Sequence, residues 1–145
     1  MRIVLQRVRH ASVKVDGAVV GLIKRGFLIL LGVHRNDTVE SARFLAHKCA
    51  ELRVFEDADG KMNLSVREIE GEVLVVSQFT LYGDCRKGKR PSFSDAAPPP
   101  RAIELYEEFI KALREHLSIV QTGIFGATME VELLNDGPVT LILEK

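Results

Sequence analysis

The sequence is poor in cysteine and carries no excess of charge of either sign. Its two cysteines, Cys49 and Cys85, lie far apart and in no metal-ligand spacing, so we expect neither a disulfide framework nor a zinc site. The formal net charge at pH 7 is +0. A general electrostatic attraction to nucleic acid is thereby excluded, and any contact with RNA must come from a local patch.

Long apolar runs are also missing. The apolar run at residues 27–31 is far too short to span a bilayer. Charged residues interrupt the first positions of the chain, so no signal peptide is predicted. We therefore expect a cytoplasmic protein without a membrane segment.

Familiar catalytic patterns are absent too. The four histidines are scattered without metal-ligand spacing, and no Gly-x-Ser-x-Gly segment is present. Residues 56–61 begin like a calcium loop but lack its third acidic position and its closing Glu, so a plain turn is predicted. We expect no metal and no cofactor.

What is present predicts a globular α+β domain. Apolar residues make up 46% and charged residues 28% of the 145 positions, which fits one domain over residues 1–145. The pattern predicts a mostly antiparallel, barrel-like sheet packed against two amphipathic helices. Asp16-Gly17 indicates a hairpin, and residues 27–33, apolar on both faces, indicate a central strand.

The two helices and the last strands are predicted from periodicity and capping signals. The first helix is expected to start with Asp37 as N-cap and to bury a stripe that contains Cys49, which should pack rather than react. The second should begin near Pro100 and end near His116. Three short closing strands are expected at the positions 119–122, 128–134 and 139–143.

The most informative stretch is the end of the apolar run at residues 73–76. It continues as Ser77-Gln78-Phe79-Thr80, and polar side chains at the end of a buried strand are typical of a functional site. Alternate strand residues face opposite sides, so Ser77 and Thr80 can converge only if the strand ends, twists or bulges between them. The alternative is that both are ordinary strand residues.

A long irregular segment with four cations follows, over residues 83–100. Its cations are Arg86, Lys87, Lys89 and Arg90. Such a run is either a solvated loop or a surface for phosphates. Phe93 lies close behind it, and proteins that bind single-stranded nucleic acid combine aromatic and cationic side chains in this way.

A second polar segment, residues 135–140, reads Asn-Asp-Gly-Pro-Val-Thr. A turn between two strands, with Pro138 at a strand start, is the simplest interpretation. The alternative is a cis Gly137-Pro138 bond that presents its carbonyl groups outward, and cis bonds before proline are uncommon.

Together the two segments, about sixty residues apart, resemble the D-aminoacyl-tRNA deacylase family. The resemblance covers essentially the whole chain. It implies a homodimer with active sites at the subunit interface, where residues 77–80 of one subunit face a cis Gly137-Pro138 motif of the other. Arg7 is expected to steady the motif of the partner subunit.

The resemblance also implies a reaction, hydrolysis of the ester between a D-amino acid or glycine and the terminal adenosine of tRNA. L-amino acids are excluded sterically. One assignment makes the Thr80 hydroxyl the nucleophile, and another relies on backbone groups of Phe79 and Thr80 and on the adenosine 2′-hydroxyl, with Ser77 and Gln78 in support. The second is favoured here, because no base is placed to activate Thr80.

In this interpretation the four cations of the loop contact the tRNA acceptor end. The alternative function is a non-catalytic RNA-binding dimer of the same fold, for which the basic loop alone would suffice.

Overall fold

The computed structural model describes all residues 1–145. Its two helices are α1 (Val39–Glu51) and α2 (Pro99–Arg114). Its eight strands are β1 (Arg2–Val15), β2 (Ala18–Ile23), β3 (Gly26–Gly32), β4 (Arg53–Glu56), β5 (Met62–Ser65), β6 (Glu72–Ser77), β7 (Val120–Thr122) and β8 (Glu130–Glu144).

Strand β1 organises the main sheet. Along one edge it pairs first with β3 and then with β2, and along the other edge it pairs with β8, all three antiparallel. The β1–β2 turn has positive φ at Asp16 (50°) and Gly17 (79°), the conformation of the tight hairpin turn that Asp-Gly predicts. β1 therefore joins the first and last segments of the chain.

Strand β6 lies in the parallel part of the sheet, between β3 and β7. The remaining pairings are antiparallel, so the predicted α+β fold with a mostly antiparallel sheet is confirmed. The sheet curls until β2 meets its far edge, where a Cβ on Gly21 would lie 2.9 Å from the Thr122 carbonyl oxygen. The result is nearly a closed barrel, with two helices on its outside.

Two apolar cores follow from this arrangement. The smaller fills the barrel and includes Val8, Val13 and Leu74, and the larger joins the outer face of the sheet to both helices. Cys49 is buried in the larger core, and burial raises the pKa of its thiol to about 12. It packs as predicted. Neither helix has the length and apolar character needed to cross a membrane.

The start of α1 differs from the prediction. Thr38, not Asp37, is the N-cap, and its hydroxyl accepts a hydrogen bond from the Ser41 amide at 3.2 Å. The Asp37 carboxylate instead binds the buried amino group of Met1 and accepts the His34 amide at 2.6 Å. A full positive charge is the stronger partner for a carboxylate, and sequence spacing gave no sign of it.

The end of the chain also differs. One long strand, β8, replaces two of the three predicted closing strands, so the interpretation of residues 135–140 as a turn between strands is wrong. Gln6 pairs with Thr140 and Val8 pairs with Asn135, which leaves Arg7 opposite the four residues 136–139. The extra residues form a bulge within a continuous strand.

Candidate active site

The polar segment lies where β6 stops. The strand ends at Ser77, and Phe79–Tyr82 form a 3₁₀ turn directly after it. This meets the structural condition for Ser77 and Thr80 to approach one site. The first hydrogen bond of the turn is donated by the Leu81 amide to the Gln78 carbonyl at 3.2 Å. The N–H groups of Phe79 and Thr80 thus precede the hydrogen bonds of the turn.

Arg2 holds the turn in place. Its Nη1 donates to the Leu81 carbonyl at 2.6 Å, and its guanidinium lies 4.9 Å from the centre of the Tyr82 ring. Burial, with a smaller effect of Asp37, raises the pKa of Tyr82 to about 12. Tyr82 therefore stays neutral and serves as a support for the turn.

A pocket of about 250 Å³ opens beside this turn. Ser77, Gln78 and Phe79 form one wall, and Ala102 and Tyr106 of α2 form another. The Tyr106 hydroxyl donates to the Val75 carbonyl at 2.9 Å, and burial raises its pKa to about 12. Tyr106 is therefore a neutral structural group rather than a proton acceptor.

The third wall comes from residues 125–131, which include Phe125 and Met129. Phe125 packs edge-on against Tyr106, with ring centres 5.7 Å apart. Most residues around the pocket are apolar, and the polar groups are concentrated at the β6 end. Such a pocket suits a small ligand with an apolar body and one polar end.

Thr80 is exposed and does not line the pocket itself. Its hydroxyl is hydrogen-bonded to the side-chain amide of Gln78, which does line it. An amide cannot remove a proton from a hydroxyl. Thr80 therefore has a polar partner but no general base, which disfavours it as a nucleophile.

The basic loop leaves the site on the Gly83 side. Backbone hydrogen bonds between Asp84 and Ser92, at 2.7 and 3.0 Å, close it as a hairpin. Arg86 forms a two-pronged ion pair with Asp84, which lowers the pKa of that carboxyl to about 2. The other three loop cations, Lys87, Lys89 and Arg90, are exposed and form no salt bridge.

The bulge of β8 is the second candidate element. Gly137 and Pro138 are exposed at its tip, and the bond between them is cis. Gly137 has φ of 137°, and a Cβ there would lie 2.8 Å from the Val139 side chain, so position 137 requires glycine. The Asn135 side chain closes the bulge by accepting the Val139 amide at 2.9 Å.

Arg7 fills the space beneath this bulge. It is 5% exposed, and its Nε donates to the Asp136 carbonyl of the same chain at 2.9 Å. A second bond runs to the Val54 carbonyl. Within its own chain Arg7 therefore supports the bulge, because its guanidinium is buried between these two carbonyl groups. Its role towards the motif of a partner subunit stays a prediction.

The structure does not join the two candidate elements within one chain. Strands β3 and β1 separate β6 from β8 in the sheet, and neither Gly137 nor Pro138 lines the pocket. Nor does the chain contain a group of three or more His, Cys, Asp or Glu side chains placed to hold a metal ion. One chain thus presents a pocket and a separate exposed bulge.

A family model described as D-Tyr-tRNA(Tyr) deacylase matches residues 4–144. The chain belongs to this deacylase family. A D-aminoacyl-tRNA deacylase from Geobacillus sp. (strain WCH70) is 61% identical over 144 residues, which cover 99% of this chain and 95% of that protein. Members of the deacylase family are hydrolases, and this chain is an enzyme of that class.

Two solved structures resemble the deacylase chain. One, described as c-Myc DNA Unwinding Element Binding Protein, has a TM-score of 0.94 and 42% identity, and covers 100% of this chain and 99% of its own. The other, described as a probable eukaryotic D-amino acid tRNA deacylase, has a TM-score of 0.82 and 20% identity, and covers 98% of this chain and 97% of its own. The second likeness supports the fold alone.

Several deacylase residues around the site have no local sequence signal. Arg2, Tyr106 and Met129 reach the turn or the pocket from distant parts of the chain. If only the neighbouring sequence is considered, each of these residues resembles an ordinary surface or core residue. Only the strand pairing and the packing of α2 bring them to the end of β6.

Proposed function

We propose that the protein hydrolyses the ester that joins a D-amino acid to the terminal adenosine of tRNA, and that it also accepts glycyl-tRNA. Family membership supports the reaction class. The observation that carries the proposal is the apolar pocket at the end of β6, beside a 3₁₀ turn whose hydrogen bonds begin only at the Leu81 amide. The reaction takes place in the cytoplasm, where charged tRNAs are used.

In this proposal the chemistry depends on the backbone of the 3₁₀ turn. The N–H groups of Phe79 and Thr80 receive the negative charge that develops on the ester carbonyl oxygen. A water molecule attacks the ester carbonyl carbon with assistance from the 2′-hydroxyl of the terminal adenosine, and the bond to the ester oxygen breaks, so that the tRNA leaves as the alcohol and the amino acid as the free acid. Ser77 and Gln78 keep the turn and the ester in position. An aminoacyl ester is reactive from the start, so stabilisation and positioning suffice without an activated side chain.

Selection for D-amino acids is assigned to the β8 bulge of a second copy of the chain. Its backbone carbonyl groups crowd the side of the pocket where an L side chain would project, while a D side chain or the hydrogen of glycine is accepted. In this proposal a side chain at position 137 would project towards the pocket of the other copy. Arg7 supports the bulge from its own chain.

A homodimer follows from this assignment, and the edge of β8 supports it. Strand β8 is fifteen residues long and pairs only with β1, so its outer edge has no strand partner. Ile142 is 70% and Leu134 48% exposed on this strand. Long apolar edge strands are rarely left open to solvent.

The four loop cations are proposed to contact the phosphates of the tRNA acceptor end. Lys87, Lys89 and Arg90 are free to do so, and Arg86 is oriented by Asp84. Each phosphate contact adds affinity that falls with salt concentration.

The decisive experiment compares release of D-tyrosine and L-tyrosine from charged tRNA, with a chelator present and no metal added. We expect fast loss of the D ester and an intact L ester. Equal hydrolysis of both would contradict the selection by Gly137 and Pro138. Loss of neither would favour the alternative, an RNA-binding dimer without catalysis, for which the exposed basic loop is the supporting observation.

A further inference from the structure

An aromatic ring next to the pocket has no role in the function proposed above. Phe93 follows the Asp84–Ser92 hairpin closure and is 37% exposed. It packs edge-on against Phe79, with ring centres 5.0 Å apart and planes at 72°. Phe79, which lines the pocket, is 57% exposed. Two large apolar rings are therefore held against each other in solvent.

The backbone around Phe93 fixes this arrangement. A Cβ on Gly83 would lie 3.0 Å from the edge of the Phe93 ring, so the glycine allows the ring to lie against the end of the 3₁₀ turn. The backbone bonds that close the hairpin stand directly before Phe93. The ring is thus part of the rigid base of the loop rather than of its tip.

The order of groups along the surface suggests a path for a nucleic acid strand. Phe79 stands at the wall of the pocket, and Phe93 packs against Phe79 outside the pocket. The hairpin that carries the free cations is closed by Asp84 and Ser92, directly before Phe93. An aromatic face beside unpaired cations is how proteins hold unpaired bases and their phosphates. A folded core would gain more by burying both rings.

We propose that Phe93 is a stacking platform for the base of the nucleotide that precedes the terminal adenosine of the tRNA. The inference rests on the function proposed above and adds a subsite to it. The terminal nucleoside carries the ester into the pocket, the penultimate cytosine stacks on Phe93, and the phosphates beyond it reach Lys87 and Lys89.

The test compares two substrates that carry the same D-tyrosyl ester, one on full-length tRNA and the other on adenosine alone. For Phe93→Leu, which keeps an apolar side chain but removes the aromatic face, we expect the ratio of kcat/KM for the tRNA ester to that for the adenosine ester to fall about tenfold. Phe93→Trp, with a larger face, should keep the wild-type ratio. Thermal unfolding of all three proteins controls for folding.

A tRNA that lacks only the penultimate base completes a double-mutant cycle. With this substrate, Phe93→Leu should not further lower the ratio of kcat/KM for the tRNA ester to that for the adenosine ester. A ratio unchanged by Phe93→Leu, or an equal loss with and without the base, would overturn the stacking proposal. Failure of the wild-type protein to cleave either D ester would instead refute the underlying deacylase activity.

Discussion

At the scale of single residues, Arg7 links the core to the exposed bulge. Gln6 pairs with Thr140 and Val8 pairs with Asn135. Between these two pairs, β1 contributes only Arg7, whereas β8 contributes four residues. The buried guanidinium of Arg7 holds the Asp136 and Val54 carbonyl groups together. Arginine suits this position, because its planar group donates in several fixed directions while remaining charged.

We expect Arg7→Lys to destabilise the protein by about 2–4 kcal/mol, because one ammonium group cannot reproduce both contacts and the unmatched carbonyl is buried. The free energy of unfolding in urea measures this. Where folding persists, the D-to-L ratio of ester hydrolysis should fall as the bulge loosens.

Arg9→Lys is the matched control. The Arg9 side chain is 71% exposed and contacts the carboxylate of the same Asp136 at 3.1 Å. An exposed ion pair contributes little, so we expect a change within about 0.5 kcal/mol. Equal destabilisation by both substitutions would show that burial of Arg7 is not what supports the bulge.

At the scale of elements, the basic loop is a hairpin with a fixed base and an exposed tip. Replacing Lys87 and Lys89 by Gln should weaken tRNA binding and reduce the slope of log affinity against log salt by about 1.4, the value for two lost phosphate contacts on a single strand. Thermal stability should not change, because neither lysine forms a salt bridge. Binding measured over a salt series tests this.

Two exposed helix lysines, Lys48 and Lys111, provide the comparison. Their replacement by Gln removes the same charge from the outer helical layer. If this variant shows a similar decrease in the slope of log affinity against log salt, tRNA binding depends on the net charge of the protein rather than on the loop.

Most elements were predictable because they depend on local patterns. The Asp16-Gly17 hairpin, the buried stripe of α1 and the end of β6 follow from turn chemistry and periodicity. The bulge in β8 was not predictable, because a bulge is defined by the register against β1, and Gly137-Pro138 alone reads as a turn. The same limit applies to Asp37, whose partner is set by tertiary structure.

At the scale of the whole molecule, the pocket and the bulge lie in separate parts of one chain and are proposed to meet only across two copies. Mixed dimers test this directly. One variant is Phe79→Pro, which removes an N–H group at the first position of a helical turn, where proline fits. The other is Gly137→Val, whose new side chain would collide with the Val139 side chain within the bulge.

Each variant alone should be nearly inactive towards D-tyrosyl-tRNA. After joint unfolding and refolding in equal amounts, we expect about a quarter of wild-type activity, because half of the dimers are mixed and each mixed dimer holds one intact site of two. Mixing without refolding or subunit exchange is the control. No recovery in the refolded mixture would place both elements in one chain.

The pairing of β1 with β8 also determines the order in which the molecule can form. Residues 2–6 pair with residues 140–144, so the central strand of the sheet has one open edge until the last strand is available. During synthesis the β1–β2–β3 segment is complete early, but the outer edge of β1 remains unpaired until β8 has left the ribosome. Contacts between such distant segments make folding slow, and the bulge cannot form before β8 pairs with β1.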